Sequence, residues 1–84
     1  MDLAKNRTSK RLWTHPENGK YYIAYVDIDL LGDFVVITLW GGKGRRPSRM
    51  KYTYVPSLEA SISMLEHLHK TRINHGYHLS EEDF

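Results

Sequence analysis

Phe34-Val35-Val36-Ile37-Thr38-Leu39-Trp40, followed by Gly41-Gly42-Lys43-Gly44-Arg45-Arg46, is the stretch on which the fold turns. The first seven residues are apolar, aromatic or β-branched, which suits a pleated and half-buried surface. The next six exchange that character for glycine and positive charge, so the strand must end in a loop. Alternation puts Val35, Ile37 and Leu39 on one face, and Phe34, Val36, Thr38 and Trp40 on the other. The first set suits a helix-covered core. Trp40 is then expected on the opposite face, exposed at the strand's end beside a flexible loop.

Working outward, Tyr21–Ile28 is rich in aromatic and β-branched residues and reads as a second strand. Leu30-Leu31-Gly32-Asp33 supplies the turn that joins the two as an antiparallel hairpin. Arg11–His15 opens the fold as a short strand before the turn Pro16-Glu17-Asn18-Gly19, and Arg49–Val55 alternates again as a returning strand. At Pro56-Ser57 the period changes. Ser57 is a good N-cap, Glu59 suits the positive end of the helix dipole, and Gly76 stands where a helix would stop. Leu58, Ile62, Leu65, Leu68 and Ile73 fall within about 140° of one another on a helical wheel. Glu59, Ser63, Glu66 and Lys70 take the other side, with Glu66 and Lys70 spaced for an i,i+4 pair. The expected fold is α+β: a small twisted antiparallel sheet of about four strands with one C-terminal amphipathic helix on one face. Residues 1–10 read as a flexible basic arm, 11–78 as the domain and 79–84 as an acidic, solvated tail.

Composition narrows the function. The 84 residues include no cysteine, which excludes disulfide scaffolds, thiol catalysis, thiolate zinc ribbons and iron–sulfur ligation. A chain of this length buries roughly 60–65% of its unfolded surface, enough for one thin core. A dinucleotide- or nucleoside-triphosphate-binding domain needs more chain than this. No apolar run is long enough for a membrane span and the first residues lack a secretory h-region, so the expected setting is cytoplasmic, with no membrane partner.

The formal net charge is only +2, but it is unevenly spread. Lys43, Arg45, Arg46, Arg49 and Lys51 place five of the twelve basic residues within nine positions, and no acid occurs between Asp33 and Glu59. Lys5, Arg7, Lys10 and Arg11 form a second basic group, while Asp27, Asp29, Asp33 and the tail hold much of the acid. Glycine lets backbone N–H groups approach phosphate, arginine adds bidentate contacts, and tryptophan offers a face to a base. Trp40, Gly41, Lys43, Gly44, Arg45, Arg46, Arg49 and Lys51 are therefore the candidate nucleic-acid-binding residues. The plainer reading is a hairpin loop with solvated charges and a tryptophan capping the sheet.

Trp40-Gly41-x-x-Gly44, after a long strand and before a basic loop, a strand and the helix start Pro56-Ser57-Leu58-Glu59, resembles the WGR domain. The resemblance covers about residues 11–78 and includes Gly76-Tyr77 after the helix. It implies a small antiparallel sheet with one helix. In eukaryotic poly(ADP-ribose) polymerases this domain binds DNA near a break, with its tryptophan and arginine against the terminal nucleotide and backbone. In bacteria it also stands alone. One departure matters: Gly42 occupies the place of the family's name-giving arginine, and Arg45 or Arg46 would have to reach its phosphate from the loop.

Other chemistry finds less footing. The loop lacks P-loop spacing and no G-x-S-x-G elbow occurs. Asp27, Asp29 and Asp33 gather carboxylates as Mg²⁺ sites do, or else keep a hairpin end soluble. His67 and His69 are two apart on a helix and cannot share one ion, and His69 falls on the apolar stripe, where a hydrogen-bonded core imidazole is expected. His75 and His78 flank Gly76 without an evident third ligand. Most of Tyr21, Tyr22, Tyr25, Tyr52 and Tyr54 suit sheet packing, and a minority could extend a stacking surface from Trp40, the register deciding which. The expectation is a nonenzymatic module without cofactor or metal, binding DNA at ends, nicks or distorted duplex, with RNA as a variant of the same chemistry. The competing expectation is a protein-interaction module that has lost DNA recognition, because Trp, Tyr and Arg also anchor protein interfaces.

Overall fold

The computed structural model describes residues 9–83. Five strands form one antiparallel sheet: β1 (Ser9–Thr14), β2 (Tyr21–Ile28), β3 (Phe34–Gly41), β4 (Arg49–Val55) and β5 (His78–Asp83), in the order β4-β3-β2-β1-β5. A single helix, α1 (Leu58–Asn74), packs on one face. This is the α+β architecture expected, with one strand more.

That extra strand corrects the reading of the C-terminus. Residues 79–83 of the expected acidic tail are not free, because His78–Asp83 pairs along β1 with a bulge between Leu12 and Trp13, and Phe84 lies outside the described residues. The other end needs the same correction. Ser9 and Lys10 belong to β1 and not to an arm, whereas the remainder of the expected arm, with Lys5 and Arg7, lies outside the described residues.

The helix is built from the signals read in the sequence. Ser57 is the N-cap, its Oγ accepting the Ala60 N–H at 3.0 Å. Gly76 adopts φ +88°, and the Tyr77 N–H donates to the Arg72 carbonyl while the Gly76 N–H donates to that of Ile73. These bonds satisfy carbonyls that the last turn would otherwise leave without partners.

The face chosen for the core is the reverse of the one expected. The register aligns Trp13 with Tyr22 and Trp40, and Ser9 with Val26 and Val36. Trp13, Ala24, Val26, Val36 and Leu65 form the buried cluster, with Phe34, Val55, Ile62, Met64 and Leu68 packed against it. Phe34, Val36, Thr38 and Trp40 are thus on the helix side, and Val35, Ile37 and Leu39 on the side away from it. Size explains the choice. Ala24, Thr38 and Ser61 are all buried small residues, and small side chains let a helix approach a sheet closely. Asp27 shares the other face of β2 with Tyr21, Ile23 and Tyr25, where it is half-buried.

Two polar contacts fasten the helix from beneath. The Trp13 indole N–H donates to His69 Nδ1 at 3.0 Å, so the imidazole is hydrogen-bonded as expected but half-buried at the rim of the core. Arg11, with a side chain only 6% exposed, reaches Glu66 of α1 at 2.6 Å and Glu82 of β5 at 2.8 Å. It is therefore a structural tie and not part of a basic patch. Glu66 is bonded to Arg11 first, and the expected i,i+4 partner Lys70 adds a weaker attraction.

Candidate nucleic-acid interface

The strand that ends in Trp40 delivers the ring to one end of the sheet, on the helix side and next to β4. Its register partners there are Tyr22 on β2 and Arg49 on β4. The indole stacks on Tyr22 with centroids 5.5 Å apart and planes 13° apart. Trp40 is consequently half-buried, not standing free in water as expected, because alternation carried it to the side where Tyr22 also points. The Arg72 guanidinium, from the last turn of α1, lies 4.5 Å from the centre of the Tyr22 ring and 5.2 Å from that of Tyr77. Tyr77 in turn meets His15 edge-on at 5.3 Å. A run of rings and a guanidinium thus lines this end of the domain. Arg72 was not expected in it, whereas Tyr22 is the tyrosine that the register selects to extend the Trp40 surface. Arg72 falls only a little off the helical position of Leu65 and Leu68, which is the signal that would have found it.

The loop after Trp40 folds back on itself. The Ser48 N–H donates to the Trp40 carbonyl at 2.9 Å, and the Arg45 N–H to that of Gly42 at 3.2 Å. The Tyr21 hydroxyl donates to the Arg45 carbonyl at 2.7 Å. The glycines have different reasons to be there. A Cβ on Gly41 would sit 2.9 Å from the Tyr21 hydroxyl and 3.1 Å from the Arg46 carbonyl, so that position admits no side chain without movement. Gly44 adopts φ +67°, which favours glycine whatever the space. Gly42 has neither constraint: the nearest atom to a Cβ there is Arg45 Cδ, at 3.9 Å.

Each expected cation can now be placed. Arg49 and Lys51 share the helix side of β4 with Trp40's row and are exposed. Arg45 is exposed, with its stem beside position 42. Lys43 is exposed at its tip but lays its stem against Gly19 of the β1–β2 turn. Arg46 goes elsewhere, helping Leu39, Pro47, Ser48, Arg49 and Met50 to line a shallow depression of about 340 Å³. Leu39 and Met50 belong to the helix-free face, so the cations straddle the sheet edge instead of gathering around one ring.

Asp27, Asp29 and Asp33 are occupied with the backbone of their turn. Asp29 Oδ1 accepts the Leu31 and Asp33 N–H groups at 3.0 and 2.9 Å, and Asp27 Oδ1 accepts that of Ile28. These carboxylates hold the β2–β3 turn, and no three metal-binding side chains converge among the described residues. Among the described residues no helix is long and apolar enough to cross a membrane. No family model, curated protein or solved structure matches the chain.

Proposed function

We propose that this chain is a nonenzymatic nucleic-acid-binding domain of WGR type, directed at DNA ends, nicks or distorted duplex. The observation that carries the reading is the half-exposed Trp40 paired with exposed Arg49, at a sheet edge that also carries exposed Arg45 and Lys51, with no acidic residue in sequence between Asp33 and Glu59. Half-exposed Trp40 meets the terminal base or sugar, while Tyr22 stacks on it and carries Arg72 on its own ring. The cations take phosphates. Arg45 stands in for the family arginine, since its stem already runs beside position 42.

Position 42 provides the sharpest test, because the space around it accepts a side chain. Gly42→Arg is expected to fold as the parent and to bind blunt or nicked duplex about tenfold more tightly, as one added charge-assisted contact would give. Trp40→Ala and the double change Arg45→Ala/Arg46→Ala are expected to weaken end binding. With three or four phosphates neutralised, log K should fall against log salt with a slope of roughly −3 to −4. Duplex affinity that is flat in salt and indifferent to all three variants would refute the reading in favour of a protein-binding surface.

A further inference from the structure

The sheet has a second face, and its edge strand β4 alternates between two chemistries. Arg49 and Lys51 point to the helix side, while Met50, Tyr52 and Tyr54 point away from it. The latter three are 55%, 57% and 61% exposed, a large apolar and aromatic area for a chain of this size to leave uncovered. At the head of that row lies the depression lined by Leu39, Arg46 and Met50.

We infer that this helix-free face binds single-stranded nucleic acid, with unpaired bases stacking on Tyr52 and Tyr54 and the phosphates running toward Arg46. The inference rests on the nucleic-acid reading above but uses a different face and a different form of the polymer. Three observations select that occupant. Residues i and i+2 of a strand are about 6.8 Å apart, twice the ~3.4 Å step of a stacked duplex, so an unstacked strand fits the two tyrosines and a duplex does not. Aromatic side chains beside a cationic groove are the general means of holding single strands. Charge adds to this: Arg46 lies at the head of the row, Arg49 and Lys51 alternate with it along the β4 edge, and no acid lies on β4 or the loop before it, Asp27 of this face being two strands away on β2. Such a surface attracts a polyanion and repels a second copy of itself brought edge to edge.

The experiment uses the intact chain and three fluorescent probes: oligo-dT, an abasic phosphodiester of equal length, and a blunt duplex. The parent should bind oligo-dT more tightly than the abasic chain. Tyr52→Ala and Tyr54→Ala should each weaken oligo-dT binding about tenfold and leave duplex binding unchanged, while Tyr54→Phe keeps it. Trp40→Ala should do the reverse, weakening duplex binding alone. Equal affinity for the abasic chain, or parental oligo-dT binding by the Tyr52→Ala/Tyr54→Ala double variant, would overturn the inference and leave the duplex reading standing. So would a dimer in sedimentation that the double variant abolishes, since a second copy would then own the face. Far-ultraviolet circular dichroism on each variant separates lost binding from lost fold.

Discussion

Arg11 shows how far one residue can depart from what its neighbours suggest. In sequence it closes a basic run, yet it lies beneath the helix between two carboxylates from different elements. Its guanidinium holds the Glu66 carboxyl below the ordinary value of 4.5, first through the hydrogen bond and then through its charge. A carboxyl depressed in the folded state contributes stability that is present in full above its unfolded pKa and is lost as pH falls through the folded one. Urea midpoints of the parent and of Glu66→Gln should therefore converge in the acid range below pH 4.5 and differ above it, with the parent more stable. A constant gap across that range would mean that the bond to Arg11 carries no net stabilisation. Arg11→Ala should cost more, about 2–3 kcal/mol, because it removes buried packing and leaves both carboxylates without their cation. Trp13 was equally hard to read. Nothing in Arg11-Leu12-Trp13-Thr14 announces that this tryptophan is the fully buried one while Trp40 is the partly exposed one.

The elements were legible in proportion to how local their signals are. Ser57 and Gly76 mark α1 through backbone hydrogen bonds that reach only a few residues, and both are where the pattern put them. Ser57→Ala should lower stability by about 1 kcal/mol, measurable as a shifted denaturation midpoint with the helix intact. No shift would mean that the first turn is held by packing alone. The face of β3 was not legible, because both of its alternating sets are apolar and periodicity is then silent. The deciding signal lay one strand away, where Ala24 is small and Asp27 is charged. The helical stripe was likewise right at Leu65 and too broad at its ends. Leu58 and Ile73 are 43% and 44% exposed, whereas Ser61 is fully buried, its hydroxyl satisfied by the Leu58 carbonyl. The strand β5 was missed altogether. His78-Leu79-Ser80-Glu81-Glu82-Asp83 has the composition of a tail, and only β1, distant in sequence, makes it a strand.

At the scale of the whole molecule, charge is sorted across the sheet. The β4 edge and its loop carry Arg45, Arg46, Arg49 and Lys51, while the opposite edge, β5, carries Glu81 and Glu82. A domain polarised in this way is oriented by a polyanion before contact, even with a net charge of only +2. The basic segment was visible in sequence; its division between two faces was not, since that depends on where a folded-back loop sends each side chain.

The pairing of β1 with β5 sets Lys10 directly opposite Asp83, so the two ends of the described fold lie side by side. The described part of the polypeptide is almost a closed ring. A circular permutant that joins these ends through a short glycine–serine bridge, and opens instead between the exposed residues Leu30 and Leu31, should regain the parental circular dichroism spectrum and a cooperative melt. The same adjacency makes backbone cyclisation a route to greater thermal resistance, because it removes disorder from the unfolded chain while asking no movement of the native one.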